Sequence, residues 1–112
     1  MDEDCVFCKI VAGKISAKKI CEDAETLAFH DLNPQAKTHV LVIPKSHYGS
    51  VLDLPPGSPV MSQLVEAASA IAREGGLKGF RLVVNTGADG GQTVGHLHLH
   101  LLGGRRMSWP PG

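Results

Sequence analysis

The chain has 112 residues, 43% of them hydrophobic, and its 11 basic and 11 acidic side chains cancel when the six histidines are neutral. That length supports one domain spanning residues 1–112 with a single core and excludes a second. The even charge excludes the broad electropositive face that binding nucleic acid through its phosphates usually needs, and leaves a small anionic ligand as the charged partner to expect.

In chain order, Val6, Phe7, Ile10 and Val11 recur at helical spacing, with Asp4 placed to cap the start and Gly13 to break the end, so a short helix is predicted from Asp4 to Ala12. Strands are predicted at Ile20-Cys21, Thr26 to His30 and His39 to Ile43, separated by Asp/Glu-rich and Asn33-Pro34 turns and ended by Pro44. Leu54-Pro55-Pro56-Gly57 is a loop, and Ser58-Pro59 reads as a cap followed by proline at the first helical position. Met61, Leu64, Val65, Ala68, Ile71 and Ala72 then form a core-facing stripe that stops at Gly75-Gly76. Phe80 to Asn85 is strand-like, Thr86 to Gly95 is a glycine-rich loop, and His96 to Leu102 alternates as a strand. Two helices and about five strands in this order, without a helix between each strand pair, indicate an α+β fold on an antiparallel sheet. No apolar run approaches the roughly 20 residues of a membrane span, and Met1-Asp2-Glu3-Asp4 is acidic where a secretory signal is basic, so a cytoplasmic location without a membrane partner is expected.

Three cysteines, an odd number, argue against a disulfide framework; Cys5 and Cys8 form a C-x-x-C pair of the kind found at metal or redox sites, and Cys21 reads as a buried, inert thiol.

The segment His96-Leu97-His98-Leu99-His100 carries the chemistry. Side chains of a strand alternate between faces, so the three histidines share one face and the leucines the other, with same-face neighbours roughly 7 Å apart. Neutral imidazole is a good nucleophile near pH 7, and its protonated form can neutralise phosphate or protonate a leaving group. His39 and His47 offer further imidazoles, Asn85 and Thr93 offer polar groups, and the loop Gly87-Ala88-Asp89-Gly90-Gly91-Gln92 could bring backbone N–H groups close to an anion. Spacing alone leaves a catalytic site, a metal site and a plain polar surface all open.

His96-Leu97-His98-Leu99-His100-Leu101-Leu102 resembles the histidine triad signature, and Phe29-His30-Asp31, Asn33-Pro34-Gln35-Ala36, Val42-Ile43-Pro44-Lys45, Gly90-Gly91-Gln92, Gly103-Gly104-Arg105 and the tail Met107 to Gly112 look like the Hint branch of that family. The resemblance implies the HIT fold, a five-stranded antiparallel sheet with two helices, dimerising through the longer helix and a strand. It implies a homodimeric purine nucleoside phosphoramidase that hydrolyses the P–N bond of AMP or GMP phosphoramidates, lysyl-AMP included, with no cofactor needed for catalysis. By the same resemblance His98 is the nucleophile, while His100, His39 and Thr93 serve catalysis. Asn85, Gly91, Gln92, Thr93 and Val94 would hold the phosphate and leaving group together with His98 and His100. Asp31 would meet the ribose, and Phe7, Ile10, Phe29, Leu32 and Leu41 the purine. Trp109 would reach the partner's leaving-group side. Read from the residues alone, Phe29 and Leu41 could equally be core, Asp31 a turn cap, and Lys45 and Arg105 solvated charges. Thr93 stands where relatives often carry serine and Ser16 where they carry proline.

Cys5 and Cys8 with His47 and His96 supply two thiolates and two imidazoles, the ligand set of a closed tetrahedral structural zinc site, and some relatives resemble this arrangement. The alternative is a pair of unliganded thiols with His47 capping a loop. Two other functions stay open: a dinucleoside polyphosphate hydrolase or nucleotidyltransferase of another triad branch, and a nucleotide-binding or protein-interaction module with incidental turnover.

Overall fold

A computed structural model describes residues 4–112. Helix α1 covers Val6–Val11 and helix α2 Val60–Glu74, and five strands, β1 Lys19–Glu22, β2 Thr26–His30, β3 Thr38–Pro44, β4 Phe80–Val83 and β5 Leu99–Gly103, form one sheet in the order β1-β2-β3-β5-β4. Every neighbouring pair is antiparallel. The expected meander of the first three strands is present, and β5 inserts beside β3, leaving β4 on the edge.

The central strand β3 is buried from His39 to Pro44, because both sheet faces are covered. On one face Ala28, Val40, Val42, Leu97, Leu99 and Leu101 pack against Val60, Leu64, Ala68 and Ala72 of α2. On the other, Phe7, Cys8 and Ile10 of α1 pack against Leu27, Phe29, Leu41 and Ile43. The leucines of the histidine segment thus join the α2 core, as the alternation requires, and leave the histidines on the α1 side.

Several local expectations shift. Asp4 is not the cap of α1: Cys5 takes the extended cap conformation and its Sγ accepts from the Cys8 N–H at 3.3 Å. At α2 the cap hydrogen bond is made by Ser58, whose Oγ accepts from Val60 N–H, so the helix proper begins one residue after Pro59. Within the predicted stripe Leu64, Ala68 and Ala72 are fully buried but Val65 is exposed, the helix having turned that position to solvent. The strand starting at Phe80 ends at Val83 and not at Asn85. Cys21 is exposed, since it lies on the edge strand β1, where only Ile20 is even partly covered; the reading of a buried thiol is overturned. A turn of 3-10 helix at Val51–Asp53, capped reciprocally by Ser50 and Asp53, was not anticipated. Among the described residues no helix is long and apolar enough to cross a membrane.

Candidate functional site

Of the three histidines only His100 lies on β5; His96 sits in a bend and His98 in irregular backbone before it, so the segment is a strand only in its second half. Register brings the rest of the site to His100. Leu41 faces His100 and His39 faces Leu102 across β3 and β5, while Val83 faces His100 across β4.

The hydrogen bonds around these rings determine their tautomers. The backbone N–H of Gln35 donates to His39 Nδ1 at 3.0 Å, so a neutral His39 carries its proton on Nε2. His39 Nε2 lies 2.9 Å from His100 Nδ1 and therefore donates to it, which places the proton of a neutral His100 on Nε2. That Nε2 is buried and meets no partner within the described residues. His98 Nδ1 lies 2.7 Å from the His96 carbonyl, which can only accept; Nδ1 is the protonated nitrogen and the lone pair is on Nε2. The His98 and His100 rings meet nearly edge to face with centroids 5.0 Å apart.

Burial, the dominant cause, lowers both His39 and His100, His100 to about 4, where the nearby imidazoles of His98 and His39 add to the effect. At neutral pH the pair is uncharged. Asp31 sits at the end of this chain, with Oδ2 3.4 Å from His39 Nε2 and Oδ1 accepting from Asn33 N–H at 2.8 Å. It is a turn cap and a site neighbour at once.

A second cluster lies behind His98. Cys5, Cys8, His47 and His96 present ligand atoms that all lie within 4.8 Å of one another, so they could hold a metal ion. His96 is fully buried, and its Nε2–H donates to the Pro44 carbonyl at 2.9 Å, which turns the lone pair of Nδ1 toward Cys5, Cys8 and His47. Asp31, His39 and His100 are also mutually close. There the Gln35 N–H occupies His39 Nδ1 and keeps the proton on the very nitrogen a metal would need. Donor chemistry thus separates a metal cluster from a proton-bearing pair.

The remaining predicted residues are distributed as follows. Phe7, Ile10, Phe29 and Leu41 are nearly all buried, and Phe7 lies edge-on to Phe29, His96 and His98 with centroids 5.3 to 5.8 Å apart. Leu32 is 90% exposed. Thr93, exposed, and Val94 line a cleft with Cys5 and Val6, and Asn85 follows β4 two residues past Val83. Gly91 holds φ +80, and a Cβ at Gly90 would strike the Thr86 carbonyl, so the loop needs both glycines. Trp109 is 81% exposed. The side chain of Gln92 is taken up by the loops themselves: Nε2 donates to the carbonyls of Gly49 at 2.7 Å and Val94 at 2.9 Å, and Oε1 accepts from Gly87 N–H at 3.0 Å. Nor are Lys45 and Arg105 simply solvated. Lys45 pairs with Glu22 at 2.8 Å, and Arg105 donates to the Gln35 carbonyl at 3.3 Å. The backbone contributions of Gln35 and Pro44 had no signal in the sequence.

The HIT domain model matches residues 12–107. The chain belongs to the HIT domain family. It is 47% identical to an uncharacterized HIT-like protein of Synechococcus elongatus over the full length of both, and 42% identical to a 14 kDa zinc-binding protein of Zea mays, covering 99% of this chain and 90% of that one. Among solved structures, a HIT family hydrolase from Legionella pneumophila superposes with a TM-score of 0.94 at 47% identity, over 97% of this chain and all of that one. A HIT family hydrolase from Clostridium thermocellum gives 0.93 at 40%, over 96% of each. The five-stranded antiparallel sheet with two helices is therefore the HIT fold, and the protein is HIT-hydrolase-like.

Proposed function

We propose that this HIT protein is a purine nucleoside phosphoramidase of the Hint type, hydrolysing the P–N bond of AMP and GMP phosphoramidates, lysyl-AMP among them, through a nucleotidyl-histidine on His98. The observation that carries the reading is the locked ring of His98. With Nδ1–H held on the His96 carbonyl, the Nε2 lone pair of the neutral ring is the free nucleophile, with no general base needed to generate it. In the first step Nε2 bonds to phosphorus, the P–N bond breaks, and the amine leaves with a proton taken from solvent; the exposed Thr93 hydroxyl would assist on the leaving-group side. The unsatisfied Nε2–H of His100 donates to a phosphoryl oxygen as negative charge builds there, and His39 holds His100 in the tautomer that can do so. Water, losing a proton to solvent, then attacks the phosphorus, and AMP departs with His98 restored.

Asn85, the Gly91 turn and Val94 would flank the phosphate, Asp31 the ribose hydroxyls, and Leu32 with the edge of the Phe7, Ile10, Phe29 and Leu41 cluster the purine. The test is turnover of a fluorogenic adenosine phosphoramidate by wild type and His98→Gly. Loss of at least a thousandfold in kcat is expected, by the scale of removing an enzyme's nucleophile. Comparable turnover in the variant would overturn the assignment.

We infer also that Cys5, Cys8, His47 and His96 hold a structural zinc ion. Tetrahedral zinc with its usual bond lengths sets nitrogen pairs about 3.3 Å apart and nitrogen–sulfur pairs about 3.6 Å apart. His47 Nδ1 and His96 Nδ1 are separated by 3.1 Å, and the nitrogen–sulfur separations are 3.2 to 3.6 Å. The carbonyl partner of His96 is the outer-shell contact such ligands usually have. Bound zinc would supply a cross-link between α1, the loop after β3 and the segment entering β5, and the chemistry at phosphorus does not use it.

A homodimer fits the surface. β4 is an open edge on which Phe80 is exposed and Arg81, Leu82 and Val83 are only partly covered, and α2 shows Val65 to solvent. A second copy joined through β4 and α2 would cover both, and could bring Trp109 to its partner's leaving-group side. Sedimentation that gave a monomer at micromolar concentration would remove this part of the proposal.

A further inference from the structure

We propose that the cleft beside Asp31 is a subsite for a second phosphate on the ribose of the bound nucleotide, held by Lys18 and Lys37, so that nucleoside 3',5'-bisphosphates bind more tightly than 5'-monophosphates. This rests on the reading above, in which the histidines take the 5'-phosphate and Asp31 the ribose.

The cleft encloses about 460 Å³ and shares Asp31 and His39 with the histidine cluster; its other walls include Lys18, Lys37, His30 and Leu32. It is far larger than a pair of ribose hydroxyls requires, since a water molecule takes up only about 30 Å³. Its charge is weighted to the basic side, two lysines to one carboxylate. Asp31, its one carboxylate, already accepts from Asn33 N–H and lies beside His39 Nε2. Lys19 and Lys45, in contrast, both pair with Glu22, and among the described residues no carboxylate pairs with Lys18 or Lys37. An anion entering beside Asp31 therefore meets two lysines without a paired carboxylate, against the single negative charge of Asp31.

Both lysines are also fixed in place at their base. A Cβ added at Gly104 would come within 2.7 Å of Lys37 Cβ, and Gly104 has φ +87, so the turn after β5 lies directly against the Lys37 stem and only glycine permits it. The Lys18 carbonyl accepts from His30 N–H at 3.0 Å, which ties the approach to β1 to the end of β2 at the cleft. A phosphate on the ribose 3'-oxygen would project from the hydroxyls facing Asp31 toward these two side chains, and the exposed geometry makes the attraction salt-dependent.

The test is calorimetric titration of the full chain with AMP, adenosine 3',5'-bisphosphate and adenosine 2',5'-bisphosphate, repeated with the double variant Lys18→Ala/Lys37→Ala. The 3',5'-bisphosphate should bind about tenfold more tightly than AMP, as two exposed ammonium–phosphate contacts of modest strength would give. The ratio should fall below twofold in the double variant and shrink in 0.5 M salt. Equal affinities, a ratio that survives the double substitution, or preference for the 2',5' isomer would each overturn the subsite. If AMP binds and the phosphoramidate is turned over while the two affinities match, only this inference falls. If none of the three nucleotides binds, it falls together with the proposed function.

Discussion

Replacing Gln92 with alanine tests whether that side chain serves the loops or the nucleotide. The substitution removes three hydrogen bonds at once, those to Gly49, Gly87 and Val94. At a net of about 0.5 to 1.5 kcal/mol each, reduced because Gln92 is only partly buried, the loss comes to about 2 kcal/mol. In a domain of this size that corresponds to a melting temperature lower by roughly 8 °C. The loops it joins carry Asn85, Gly91 and Thr93, so KM for the phosphoramidate should rise together with the loss of stability. Gln92→Glu sharpens the test: the carboxylate can still accept from Gly87 N–H, but its second oxygen would face two carbonyls, so it should be at least as unstable as the alanine variant. Urea denaturation and steady-state kinetics on the same preparations measure both quantities. A variant with stability within about 0.5 kcal/mol of wild type and a raised KM would refute the clamp and return Gln92 to the nucleotide.

Other expected outcomes concern the histidines and the metal cluster. His100 titrates near 4 when folded and near 6.5 when not, so the native state binds fewer protons between those values; its contribution leaves stability unchanged above pH 6.5 and erodes it as pH falls toward 4. The melting temperature of His100→Asn should therefore drop less than that of wild type between pH 7 and pH 5, and equal drops would contradict the assignment. Burial raises the Cys5 thiol and lowers His96, so without a cation the cluster is a protonated thiol facing a neutral imidazole. Metal analysis of untagged protein should give one zinc per chain, with Cys8→Ser losing most of it and melting at lower temperature; a ratio near zero in wild type would dismiss the site.

Much of this was legible from residue types and spacing. The alternation of leucine and histidine told which face each would take because one face must enter a core, and β2 and β3 were marked by apolar runs closed by turn residues. What stayed hidden depends on atoms that side-chain identity does not encode. The Gln35 N–H and the Pro44 carbonyl choose the tautomers of His39 and His96, yet any residue supplies such groups. Strand pairing begins only at Leu99, opposite Val42, although β3 runs on to Pro44; the Leu97 N–H donates instead to the Tyr48 carbonyl at 2.7 Å, so His96 and His98 lie outside the ladder despite perfect alternation. Cys5 displaced Asp4 as helix cap because its sulfur faces both the Cys8 amide and the metal cluster, a double use that propensity cannot anticipate. Cys21 misled for a simple reason: apolar neighbours on an edge strand do not guarantee cover.

The contact between His39 and His100 joins positions 61 residues apart. Every residue of α2 and the glycine-rich loop must be accommodated between them before β3 and β5 can pair, which makes this one of the more distant loop closures the chain performs. Partly folded forms that have already built α1, the early meander or α2 would therefore still hold the two imidazoles apart. Recovery of enzymatic turnover during refolding should lag the return of helical signal and coincide with closure of the sheet, so that activity itself becomes a clock for the last long-range step of folding.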